Sequence, residues 1–220
     1  MSPTEHLVRL PHRPAREDRS TIAAQPRPAT GSSSAQSSSR RSEAARLAVL
    51  NAADDLLVEH GFEGLTIEGI AAAAGVAKQT IYRWWKSKVD ILFDNLALDS
   101  GPALTWPDAP ATPADLRAYI HRFAVFLGEE PAGRVLQALL GHAQLDARTA
   151  ELLHTGFLDP LRARDVAHTR ACLGTSGDEA AALLDALLAP LYHRALVLRR
   201  PLDPAFVDAL LDRQLAGPAH

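Results

Sequence analysis

Apolar residues recur at helical spacing along most of this chain after about residue 42. A first helix is expected from Ser42, a suitable N-cap, to His60. Val49, Leu50, Ala53, Leu56 and Leu57 form its apolar stripe, and Gly61 ends it. Ile67, Ile70, Ala71 and Ala74 give a second, short helix one buried face, with Thr66 as its cap and Glu68 in its first turn. Gly75 then supplies the positive φ of a sharp turn. Val76 and Ile81 anchor a third helix. A fourth starts at Ser87, with Asp90 three residues on, and continues through Val89, Ile91, Leu92, Leu96 and Leu98.

Gly and Pro content predicts a loop from Ser100 to Pro113. Beyond it the periodicity gives only helices, over 113–129, 131–145, 147–157, 160–173, 177–199 and 203–215. Pro131, Pro160 and Pro204 fall near helix starts, where a missing N–H costs little, and Pro190 is expected to kink its helix. The fold class is therefore all-α: an N-terminal three-helix head (42–100, with a connecting helix) and a C-terminal helical body (101–220). The fourth helix is expected to be their one junction. Residues 1–41 lack periodicity, include the run SSSAQSSSRRS, and read as a disordered arm. Its seven arginines, Arg9, Arg13, Arg16, Arg19, Arg27, Arg40 and Arg41, outnumber Glu5, Glu17 and Asp18. Such an arm is either an inert tail or one that tracks DNA backbone or minor groove.

A formal net charge of −3 argues, as a total, against nucleic-acid binding. Its distribution reverses that reading. Val76–Lys88 holds Lys78, Arg83, Lys86 and Lys88 with no acid, and these include every lysine of the chain. The third helix turns Lys78, Gln79, Thr80, Tyr82 and Arg83 away from its apolar anchors, as a helix-turn-helix does with the helix that enters the DNA major groove. One cysteine, Cys172, excludes an intramolecular disulfide and a multi-Cys zinc site within one chain. No signal-peptide pattern and no long apolar stretch are apparent, so a cytoplasmic protein without membrane contact is expected.

The stretch from about Arg46 to Leu96 resembles the TetR family of transcriptional regulators. The resemblance rests on Gly61-Phe62, TIEGIA from Thr66, GVAKQTIY from Gly75, the pair Trp84-Trp85, and Ser87-Lys88. Trp84 stands where Tyr or His is commoner, and Lys86 where Pro is usual; both bear on details of the DNA contact. The resemblance implies double-stranded DNA, in the form of a palindromic operator, as a partner. Thr66, Tyr82 and Lys88 are then expected at phosphates. Lys78, Gln79 and Thr80 are expected near base edges, with Arg83 and Trp84 on the same surface.

It also implies a body that forms a homodimer and binds a small-molecule effector whose identity the sequence does not give. Leu184, Leu188, Leu191, Ala195 and Leu198, with Phe206 and Leu210 of the last helix, offer more apolar surface than one core needs; they are assigned to the dimer interface, although such a stripe also serves an ordinary core. Trp106, Phe123, Phe126, Leu139, His142, His154, Phe157 and Tyr192 are candidates for an effector pocket, each equally able to be plain core. No catalytic constellation, cofactor motif or metal site is expected; His142 and Asp146, four apart, are a weak two-ligand edge. The main reading is a ligand-released repressor. The alternatives are a DNA-binding regulator controlled by a protein partner, and a helical enzyme whose basic segment is only surface.

Overall fold

The computed structural model describes residues 33–108 and 112–216. Among these there are ten α-helices, two π-turns and no strand. They are α1 (Ser33–Gly64), α2 (Ile67–Ala74), α3 (Lys78–Trp84), α4 (Lys88–Ala103), α5 (Pro113–Glu129), α6 (Pro131–Ala143), α7 (Ala147–Leu153), α8 (Asp159–Leu173), α9 (Gly177–Tyr192) and α10 (Pro204–Leu215). The π-turns are His154–Leu158, between α7 and α8, and His193–Val197, directly after α9.

Several boundaries differ from the periodicity reading. α1 begins at Ser33, so Ser42 is an internal residue and not a cap. Serines and arginines are tolerable helix formers once a packed helix exists to extend. The rest of the expected arm, residues 1–32, lies outside the described residues. Gly61 does break α1, at φ 70° and ψ 178°, a conformation closed to residues with a Cβ. α4 runs on to Ala103 through Gly101 and Pro102, so the loop after it is shorter than its composition predicts. The two longest body spans are each interrupted by a wide turn. Pro160 sits at the start of α8 and has no N–H to offer an α-type bond; the bond made there runs from Asp159 N–H to the carbonyl of His154. Pro190 lies inside α9, and the helix loosens into a π-turn three residues later.

The core is continuous from head to body. Val49, Leu50, Ile70, Ile81, Ile91, Leu92, Leu116, Phe123, Leu136, Leu187 and Leu211 belong to a single cluster of buried side chains. α6 packs on both α1 and α4. The head is thus joined to the body through α6 as well as α4, which corrects the expectation of a single junction. Two amphipathic helices, α1 and α4, each have too much apolar surface for a three-helix head to cover, and α6 covers the remainder. Asn95 of α4, itself buried, donates to the Leu50 carbonyl and to Asp54, both at 2.8 Å, and so fixes α4 against α1.

Candidate nucleic-acid interface

The turn between α2 and α3 is built from local sequence. The Thr66 hydroxyl accepts from Gly69 N–H at 3.0 Å and caps α2. Gly75 ends α2 in the left-handed region at φ 65°. Val76 N–H reaches back to the Ala71 carbonyl at 3.0 Å, closing the wide hydrogen-bonded loop typical of a glycine helix stop. Ile70 and Ile81 are completely buried, so α2 and α3 are pinned to the core on one side. The opposite side of α3 faces solvent, with Lys78, Gln79, Tyr82 and Arg83 exposed and Thr80 at its edge. Tyr82 is 53% exposed, so its ring and hydroxyl are open to a partner on this face.

The cations of this segment are in different states. Lys78 pairs with Glu68 at 2.9 Å, across the turn. The hydrogen bond lowers the Glu68 carboxyl below its usual range and raises the Lys78 ammonium above its own. Arg83 lies over the Trp84 ring, 5.1 Å from its centroid. Lys88 donates to the Phe62 carbonyl at 2.6 Å and sits 4.2 Å from the Phe62 ring centroid. Its ammonium is therefore partly committed to the end of α1. Lys86 is exposed and makes no ion pair or side-chain hydrogen bond among the described residues. Lys86 stands outside the contact set expected from the sequence.

Trp84 and Trp85 are neighbours with different surroundings. Trp84 is half-buried on the core's edge. Trp85 is only 3% exposed, and its ring N–H donates to Asp94 at 2.8 Å. Arg46 of α1 donates to the same Asp94 oxygen at 2.8 Å. This Arg46–Asp94–Trp85 node holds the end of α3 against α1 and α4. Its members are 48 and 9 positions apart, so no local pattern announces it.

In the body several of the proposed pocket residues meet, with the Phe123 ring 6.1 Å from Phe126 and 5.7 Å from Tyr192 between centroids. Trp106, Phe123, Phe126 and Leu139 are buried core. Trp106 stacks between Tyr119 and His168, with ring centroids 4.2 and 4.9 Å away. Its N–H donates to the buried Asp165 at 3.0 Å, and Tyr119 donates to the other oxygen of the same carboxylate at 2.5 Å. Arg164 completes the charge pairing of Asp165. Burial, then the neighbouring Asp165 charge, pushes the Tyr119 hydroxyl far above its usual range, and burial depresses His168. His142 instead lies tilted against Phe62 of the head, 4.5 Å between ring centroids. Asp146, the other half of the weak metal edge, caps α7 through Thr149. His154 is exposed and lies 3.6 Å from Asp159, and Phe157 is half-buried; both sit in the first π-turn. Trp106, Phe123, Phe126 and Tyr192 thus belong to one aromatic cluster joined through Tyr119, while His142 and His154 lie apart from it. Tyr192 lines an open cleft of about 1350 Å³ between the end of α1, α6 and the end of α9.

The proposed dimer residues also divide. Leu184 and Leu191 are completely buried within one chain, so they are its own core and not available to a second copy. Leu188, Ala195, Phe206 and Leu210 are half-buried, and Leu198 is 47% exposed beside Val197 at 68%. One described helical stretch departs from the expectation of no long apolar run. Gly177–Val197 is long and apolar enough to cross a membrane by length and composition, with a mean hydropathy of 1.3. The apolarity has a simpler source: one face packs on α8, α5 and α10, and the remaining faces are largely alanine and leucine.

Residues 49–94 match the sequence family described as bacterial regulatory proteins, tetR family. Residues 106–213 match the tetracyclin repressor-like C-terminal domain. The chain is 30% identical over 181 residues to the uncharacterized HTH-type transcriptional regulator YdeS of Bacillus subtilis strain 168, covering 80% of this chain and 91% of that protein. It is 28% identical over 186 residues to the DNA-binding transcriptional repressor TetR of Mycobacteroides abscessus, covering 78% and 92%. Among solved structures, the TetR family transcription regulator SCO0332 superposes with a TM-score of 0.62 at 34% identity, covering 80% of this chain and 99% of that one.

Proposed function

This chain belongs to the TetR family of DNA-binding transcriptional regulators, and on that premise we propose that it is a homodimeric repressor released from a palindromic operator by a small-molecule effector. The observation that carries the proposal is the outward face of α3. It is held by Ile81 on a rigid core and presents Lys78, Gln79, Tyr82 and Arg83 to solvent, with the free Lys86 beside it. A two-fold dimer sets two such faces about 34–36 Å apart, one turn of DNA. Lys78, Gln79 and Thr80 read base edges. Thr66, Tyr82, Lys86 and Lys88 hold phosphates, with Arg83 and Trp84 supporting them.

Release requires an effector that binds better to a body conformation with a different head spacing. Continuity of the core through α6 supports this route, because a shift of α6 must be accommodated by α1 and α4 together. The test is a mobility-shift assay on DNA upstream of its own and neighbouring genes. The expected result is a complex at nanomolar protein that is competed poorly by unrelated DNA and weakens with added salt. Equal competition by any DNA would remove the operator reading.

A further inference from the structure

The cleft between head and body has an apolar floor and a basic rim. Its floor includes Leu57 and Phe62 of α1, Ala138 and Leu140 of α6, and Leu196 beyond α9. Its rim carries Arg134, Arg199 and Arg200, all exposed. None of the three makes an ion pair or side-chain hydrogen bond among the described residues, whereas the neighbouring Arg194 is fully engaged by Asp203 and the Pro201 carbonyl. The acids at the rim are Glu129 and that same Asp203, which is already paired. Unpaired guanidinium groups beside exposed apolar surface suit a planar anion with a hydrophobic tail.

The backbone marks the same place. Both π-turns contribute to the cleft, Leu158 from the first and Ala195 and Leu196 from the second. Arg199 is the one described non-glycine residue with positive φ, at 49°. Wide turns and left-handed side-chain-bearing residues cost energy and concentrate at binding sites. The cleft also touches the head. Phe62 closes one wall, its carbonyl accepts from Lys88 at the start of α4, and the chain enters α2 five residues later.

We propose that this cleft is the effector site and that it takes an amphipathic anion, with a carboxylate or phosphate headgroup on the arginine rim and an extended apolar tail on the floor. The assignment rests on the repressor reading for its consequence, release from DNA, but not for the binding itself. A tail wedged against Leu57 and Phe62 separates α1 from α6 and carries the head with it.

The experiment uses the full chain and four probes below their micelle-forming concentrations: dodecanoate, dodecyl phosphate, dodecanol and dodecyltrimethylammonium. Calorimetry is expected to show the two anions binding at least tenfold more tightly than the alcohol or the cation, and the tighter of the two names the headgroup. The double variant Arg134→Ala/Arg200→Ala, at exposed positions, is expected to keep the wild-type melting temperature and lose the anion preference. In the mobility-shift assay the anions release operator from the wild type and not from the double variant. Equal binding of all four probes, or an anion preference that survives in the double variant, overturns the assignment. If the wild type forms no operator complex at all, the repressor reading falls while calorimetry still decides the cleft.

Discussion

Gln79 and Lys86 are both exposed on the head, yet they are expected to act on DNA differently. Gln79 lies near the start of α3, where an amide reaches two groups on an adenine edge. Gln79→Ala should relax base preference at one position per half-site and lose about 1–3 kcal/mol at the preferred base, read by selection of bound sequences. Lys86 is an exposed point charge. Lys86→Ala should weaken all sequences alike and make the salt dependence shallower by about one unit per half-site. Asp54 offers a residue-scale prediction of another kind. Burial, then repulsion from Asp99 and Asp55, raises its carboxyl to about 7, against the favourable bond from Asn95. The folded state thus holds a proton that the unfolded state has already lost. Stability from this site is full below the ordinary carboxylate range and is lost as pH rises towards 7. Asp54→Asn should therefore stabilise the protein at pH 8 by about 1 kcal/mol or more after solvent screening, and much less at pH 4, measured by denaturant unfolding at both.

At the scale of elements, the α2–α3 turn depends on one backbone conformation. Gly75 sits at φ 65°, and a Cβ placed there meets nothing within 4 Å. The cost of Gly75→Ala is then conformational alone, about 1–2 kcal/mol. The variant should melt lower yet bind operator with near-native affinity once folded; a large loss of affinity at full folding would show that the turn itself contacts DNA. Gly156, in the first π-turn, differs: its Cβ would lie 2.5 Å from the Phe93 ring of α4. There the wide turn serves close packing of body on connecting helix. In α9, Pro190 lies three residues before a π-turn, His193–Val197.

For the whole molecule, burial decides which leucines can speak for assembly. Leu191→Glu would place a charge in the chain's own core and is expected to unfold it. Leu188 is half-buried, so Leu188→Glu is expected to leave a helical chain that sediments as a monomer while the wild type sediments as a dimer. An unchanged dimer in that variant would move the interface elsewhere. The continuous core also changes what a truncation does. A head fragment ending near Ser100 exposes Ile91, Leu92 and Leu96, which are completely buried in the full chain against α6 and the body. It is expected to lose cooperative unfolding in calorimetry; a sharp transition in the isolated fragment would show the head to be self-sufficient.

The head was legible in the sequence because its determinants are local. A cap at Thr66, a left-handed glycine at position 75 and apolar anchors at Ile70 and Ile81 lie within sixteen residues, and each follows from backbone chemistry that neighbours set. Helical class and most helix positions in the body were legible for the same reason. What the sequence left open are relations between distant segments. Periodicity marks a face as apolar but not what covers it, so Leu184 and Leu188 look alike until α8 and α5 are packed against one of them. Nothing local ties Arg46 to Asp94, Trp106 to Asp165, or Phe62 to His142. Nor does a count of arginines tell which are paired. Those distinctions arise only when helices far apart in the chain exclude water from some side chains and leave others, such as Lys86 and Arg200, facing it.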